Sequence, residues 1–294
     1  MIYITTNNGV FRYNKKTGAE EILRPASSLG FFGIDVNPQN GKILAASREK
    51  IKLALNSKHG SDVRLYEIEP ESGTSTLVAE LYKVFDVHQI ALYQEFVFLT
   101  DTTKNRIHVY DLNKKQMHGV LNFGPSRKDV HHINAVTVLG DKLWVGLNNR
   151  GESNSALYTI TLQSVAELAA QKADVLELGN VRSLSGISHS HDVEPCHGNI
   201  LVCASHDGFV AQVKDNSKDS EDFTKIVSIE NGFVRGVVCD KEGLWVGVSA
   251  RAKRSERHRS DLNGEIRLYG WDDKTCLKTV TIEGAGQIND LISI

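Results

Sequence analysis

His88, His132 and His191 are the residues whose chemistry is easiest to name. They fall in separate copies of one recurring sequence pattern. Imidazoles brought to a common axis suit Zn²⁺, Fe²⁺, Mn²⁺ or Cu²⁺, with a position left open for water or substrate. Asn134 and Asn289 fall in further copies and can ligate a metal or hydrogen-bond a substrate. Arg235 falls in another. A guanidinium in an enclosed lining must find an anion or several carbonyls. Together these residues describe metal-dependent chemistry on a small anionic molecule: the metal polarises a carbonyl or activates water, and Arg235 anchors the anion. Hydrolase, lyase and oxygenase reactions all fit that set.

The pattern that positions them is a β-hairpin. Residues 131–148 read HHINAVTVLGDKLWVGLN: an apolar run, a Gly140-Asp141 turn, then a second β-rich run. Residues 235–249, RGVVCDKEGLWVGVS, repeat LWVG letter for letter. HQIALYQEFVFLTD, HDVEPCHGNILVCAS and IDVNPQNGKILAAS are further copies, and QINDLISI at the end is half of one. Aligned on the turn, His88, Asn134, His191, Arg235 and Asn289 share one position. A period of roughly 40–55 residues with about four strands each indicates a β-propeller. The shared position then lies on the first strand of each unit, which lines the central channel. By strand alternation His132 shares a face with Asn134, and His189 with His191. His132 and His189 are therefore expected one layer nearer the channel mouth.

The blade count is six, in an all-β single domain spanning 1–294. Five blades run at about 29–81, 83–123, 127–180, 184–230 and 231–282. The sixth combines residues 283–294 with 1–25, so that the terminal strands pair and close the ring, hiding edges that invite aggregation. Two basic insertions, Arg48–Asp62 and Ala250–Asp261, join second to third strands and are expected at the mouth. They carry Arg48, Lys50, Lys52, Lys58 and His59, and Arg251, Lys253, Arg254, Arg257 and Arg259. Residues 164–173 have helical spacing, with Ser164 near the cap.

The 294 residues are 40% hydrophobic and 24% charged, ample for a large core. Net charge is −2, and the basic insertions lack interleaved aromatics, which argues against nucleic acid. No run of eighteen apolar residues indicates a membrane span. The start has a β pattern rather than a signal peptide, so the expected location is cytoplasmic. The four cysteines form no C-x-x-C, so neither a disulfide frame nor a zinc knuckle is expected.

VHQIAL, HHINAV, ISHSHDVEP, and GFVRGV followed by VGVSARAKR resemble successive inner strands of a bacterial propeller family with no assigned reaction. More broadly the chain resembles the six-bladed gluconolactonase, strictosidine-synthase-like and NHL-repeat group. That resemblance implies a divalent cation held from inner strands by Glu, Asn and Asp. Asn134 and Asn289 match that donor type, whereas His88 and His191 depart from it.

Asp86, Asp192 and Glu194 are candidates for orienting the histidines or acting as a general base. Asp35, Asp192 and Asp290 follow the shared position and are expected to cap neighbouring backbone. Ser190-His191-Asp192 and Ser205-His206-Asp207 spell a triad in letters only, because adjacent residues cannot form one and no G-x-S-x-G elbow exists. Two readings stand: a metal-dependent enzyme, or a non-enzymatic propeller that binds a small ligand or a protein, its channel histidines hydrogen-bonded around ordered water.

Overall fold

The computed structural model describes residues 1–24, 28–50, 61–82, 84–125, 128–214, 223–252, 256, 259 and 261–294. The first three strands are β1 (Ile2–Thr6), β2 (Val10–Asn14) and β3 (Gly18–Leu23). The next four are β4 (Ser28–Val36), β5 (Ile43–Lys50), β6 (Ser61–Ile68) and β7 (Ser75–Leu81), followed by β8 (Ile90–Tyr93), β9 (Phe96–Asp101), β10 (Arg106–Asp111) and β11 (Gln116–Asn122). Then come β12 (Ile133–Leu139), β13 (Lys142–Leu147), β14 (Ala156–Thr161) and β15 (Asn180–Ser183). The fourth group of strands is β16 (Ser190–Cys196), β17 (Asn199–Ala204), β18 (Phe209–Lys214) and β19 (Phe223–Ser228). The fifth is β20 (Gly232–Cys239), β21 (Leu244–Ala250), β22 (Gly264–Tyr269) and β23 (Cys276–Ile282), and β24 (Ile288–Ser293) ends the series. Among the described residues these strands make six four-stranded antiparallel sheets. They form the six-bladed propeller expected from the repeat.

The last sheet has the order β24-β1-β2-β3, so the two ends of the chain close the ring. Ile2 pairs with Ser293, and the ladder runs to Thr6 opposite Ile288. The terminal amine of Met1 donates to the Ile294 carbonyl at 2.7 Å, and the Ile294 amide returns a bond to Met1.

Blades pack face to face. Ile288 and Leu291 of β24 bury against Trp245, Ile266 and Ile282 of the preceding blade. An inner strand is covered on both faces, so β12 and β20 are buried almost throughout rather than alternating. Buried side chains also tie each inner strand to the next. Asp290 accepts the Ile34 amide, Asp35 the Leu92 amide, Gln89 the Val136 amide and Asp192 the Val237 amide. At the two other seams serines outside the inner strands reach the next inner strand: Ser155, just before β14, accepts the Ser190 amide, and Ser249 of β21 the Ile288 amide.

The inner ladders carry bulges at the shared position. Register shifts skip Phe32 in β4, Asn134 in β12, His191 and Asp192 in β16, Arg235 and Gly236 in β20, and Asn289 in β24. A bulge bends the strand and re-aims the side chain. The glycine of the repeated LWVG makes room for it: a Cβ on Gly247 would stand 2.1 Å from the Arg235 carbonyl oxygen, and one on Gly146 would stand 2.8 Å from the Ala135 Cβ.

The helix α1 spans Leu162–Ala170, two residues earlier than its spacing suggested, and buries Leu162, Val165 and Ala169. Thr161, not Ser164, stands at the cap, and Ser164 Oγ donates to the Thr161 carbonyl.

If β24 is an integral inner strand, Leu291→Ala should cost about 3 kcal/mol in urea unfolding, because that side chain is fully buried. Leu277→Ala, on an outer strand at 60% exposure, should stay within about 0.5 kcal/mol of the parent. Equal effects for the two would contradict the closure.

Candidate functional site

Three histidines from three blades meet at the mouth of the channel. The His88 ring centroid is 6.0 Å from that of His132 and 6.0 Å from that of His191. Phe32 and Phe233 flank the group, with centroids 5.9 Å from His88 and 5.7 Å from His191. Neither His88 nor His132 lies within a strand. His88 precedes β8, held by its amide donating to Thr100 Oγ1 at 2.8 Å. His132 precedes β12 with φ of 48°, a left-handed conformation that strand alternation does not extend through. Alternation therefore does not set it a layer above His88.

Nδ1 of His132 lies 2.8 Å from Asp129 Oδ2, and Nδ1 of His191 lies 3.4 Å from the His189 carbonyl oxygen. An acceptor at Nδ1 keeps the proton there and makes Nε2 the ligating nitrogen, the usual orientation in metal-bound imidazoles. Asp86 lies 3.9 Å from His88 Nε2, but its closer partner is Arg48 at 2.5 Å. Burial, then the charges of Arg48 and Arg235, hold the His88 pKa well below 6.5, so its imidazole is neutral at pH 7. His189 pairs with His206, ring centroids 5.0 Å apart.

Two guanidinium groups adjoin this cluster. Arg235 is 5% exposed, lies 5.0 Å over the Phe233 ring and donates from Nη1 to Asn289 Oδ1 at 3.2 Å. Asn289 in turn donates to Asn7 and to the Phe31 carbonyl. Arg48, read from sequence as the first residue of a basic insertion, is buried within a strand instead. β5 extends through it, its Nε donates to the Val87 carbonyl, and its guanidinium stacks 3.5 Å over Phe32. Asn134 is fully buried on its bulge, and neither its amide nitrogen nor its oxygen has a hydrogen-bond partner.

Buried carboxyls gather along the inner strands. Asp192 takes a 2.5 Å bond from Gln89 Nε2, joining two blades that are not neighbours. Burial raises Asp35 to about 6 and Asp192 to about 7, with the amides they accept and, at Asp192, Arg235 pulling the other way. Glu194 and Asp290 are pushed well above the usual range, first by burial and then by repulsion among the four carboxyls. Asp35 and Glu194 keep some surface facing the channel, yet protein encloses them, and it is the enclosure that governs their ionisation. Asp35, Asp192 and Asp290 thus bind backbone of neighbouring blades. None of the four is supplied with a full counter-charge.

Sequence reasoning missed Asp129, Gln89, Phe32 and Phe233. Asp129 was detectable as a carboxylate three residues before His132; the others have no signal short of the bulge positions. Lys52, Lys58, His59, Lys253, Arg254 and Arg257 lie outside the described residues, as does the Lys50 side chain. Arg251 and Arg259 are exposed, bonded to the His206 carbonyl and to Asp261. No helix among the described residues is long and apolar enough to cross a membrane.

No family model matches the sequence, and no curated protein matches it. Solved structures do match the fold. A chain of a nidogen/laminin complex aligns with a TM-score of 0.66 at 11% identity, covering 99% of this chain and 96% of that one. A putative 6-phosphogluconolactonase from Bacteroides fragilis NCTC 9343 aligns with a TM-score of 0.59 at 14% identity, covering 96% and 81%. U3-55K aligns at 0.54 and 12%, covering 88% and 65%. At these identities the likeness is one of fold: the chain is a six-bladed propeller.

The carboxyl cluster has a consequence for stability. The unfolded chain gives up the Glu194 proton near 4.5, while the fold retains it to higher pH. The native state therefore binds the extra proton over that window, and stability falls as pH rises through it. Relative to Glu194→Gln, the parent should lose melting temperature as pH rises from about 5 to about 8. A difference between the two that is constant over that range would contradict the enclosure of Glu194.

Proposed function

We propose that the channel mouth holds a divalent metal ion through His88, His132 and His191, and that the protein is a metal-dependent enzyme acting on a small anionic molecule bound beside it. The observation that carries this reading is the meeting of three imidazoles from three blades, with His88 held neutral. Asp129 and the His189 carbonyl orient two of the rings as outer partners of metal ligands do. The donor set suits Zn²⁺, Fe²⁺, Mn²⁺ or Cu²⁺. The three ligand nitrogens do not all fall within 4.8 Å of one another, so an ion held by all three would need the rings to shift inward. When bound, such an ion polarises a carbonyl or phosphoryl oxygen, or lowers the pKa of water.

The chain's own residues do the rest. Arg235, enclosed and stacked on Phe233, is the anion's partner, with Arg48 adding charge from the other side of the cluster. Asn134 and Asn289 are the substrate contacts. The unpartnered Asn134 amide costs about 1–3 kcal/mol in a fold that has no use for it, and a ligand that bonds it recovers that cost. Asp192, titrating near neutrality within reach of the Arg235 charge, is the candidate proton carrier. An anionic lactone or related ester offers a carbonyl for the metal and a charge for Arg235. It is the first substrate class to test, and it accords with the resemblance of the sequence to the gluconolactonase group and with the putative 6-phosphogluconolactonase among the fold neighbours.

Calorimetry on chelator-stripped protein tests the reading. His88→Ala combined with His191→Ala should lose one equivalent of Zn²⁺. Arg235→Ala should weaken inorganic phosphate binding by about 2–5 kcal/mol at low and high salt alike, since an enclosed charge is little screened. Unchanged Zn²⁺ stoichiometry in the histidine variant, or normal phosphate binding in Arg235→Ala, would contradict it.

A further inference from the structure

The far ends of the inner strands carry a second donor set. Cys196 ends β16 and Cys239 ends β20, the inner strands of adjacent blades. His197 follows Cys196 directly and forms the turn into β17 with φ of 48°. The ligand atoms of Cys196, His197 and Cys239 all lie within 4.8 Å of one another. His191 and Cys196 are the second and last residues of β16, so at ~3.3 Å per residue this set sits roughly 16 Å along the strand from the histidine cluster.

We propose that Cys196, His197 and Cys239 form a binding site for a thiolate-seeking metal ion, Zn²⁺ in the first instance, on the face opposite the channel mouth. Two sulfurs and one imidazole nitrogen make three of the four ligands of a tetrahedral Zn²⁺ site and leave one position for water or an outside ligand. The set is held in place before any ion arrives. The His197 ring packs against Trp271, with centroids 4.8 Å apart and planes tilted by 42°. Trp271 is fixed by its indole N–H donating to the Asp240 carbonyl at 3.2 Å, one residue beyond Cys239. Lys274 donates to the Trp271 carbonyl. Cys239 Sγ donates to the carbonyl of Pro195, the residue before Cys196, at 4.0 Å, which ties the two strand ends together. Cys196 is buried, Cys239 half-buried and His197 exposed, which gives an ion a route in from solvent. The sequence has no C-x-x-C to announce this site, because the two sulfurs come from separate blades and meet only when the ring closes.

The site is independent of the histidine cluster, and one experiment keeps the two apart. The full chain is reduced, stripped with chelator and titrated with Co²⁺ as a spectroscopic substitute for Zn²⁺. A thiolate-to-cobalt charge-transfer band should saturate at one equivalent. Cys196→Ser and Cys239→Ser should each lower it at least tenfold, and Cys276→Ser should leave it intact. His88→Ala with His191→Ala should also leave it intact, whatever becomes of metal binding at the mouth. Zn²⁺ should displace the cobalt and abolish the band. Absence of the band in the reduced parent, including a parent that forms only a Cys196–Cys239 disulfide on oxidation, would overturn the proposal. So would persistence of the band in both serine variants.

Discussion

The structure depends on how six inner strands are held to one another around an axis. Each is covered on both faces, so its backbone amides at the blade seams must find partners other than water. Asp35, Asp192 and Asp290, with Gln89, Ser155 and Ser249, supply those partners across the seams. The bulges follow from the same constraint. They turn Phe32, Asn134, His191, Arg235 and Asn289 out of the regular ladder, and the glycines of the repeated LWVG clear space behind two of them. One arrangement therefore closes the ring and builds the mouth.

That economy has an electrostatic cost. Using carboxyls as amide acceptors places Asp35, Asp192 and Asp290 close enough to repel one another and Glu194, and all four are raised. Arg235 and Arg48 adjoin the histidines, and burial together with these two charges holds His88 neutral. A neutral imidazole is the form that a metal ion binds.

The fold was legible in the sequence because hairpins announce themselves through turn chemistry. Gly140-Asp141, the repeated LWVG and the half copy at QINDLISI gave six blades and the closure. That alignment put His88 and His191 at one position, and His132 was joined to them by strand alternation. The details of the site did not follow. A one-residue bulge changes the register without changing composition, so the place of Phe32 beside His88 was invisible. The left-handed backbone at His132 broke the alternation used to place it. Arg48 read as a solvated loop cation because nothing local shows that β5 continues through it to stack on Phe32. Cys196 and Cys239 read as separate buried thiols because their partnership exists only between blades.

The account rests on His88, His132 and His191 acting as one centre. Crystals of the full chain soaked in Zn²⁺ and measured at the zinc absorption edge test that directly. An anomalous peak among the three rings, within bonding distance of their nitrogens and set apart from any peak at Cys196 and Cys239, is the predicted result. A map with zinc at the cysteine pair alone, or with ordered water among the three imidazoles, would contradict it.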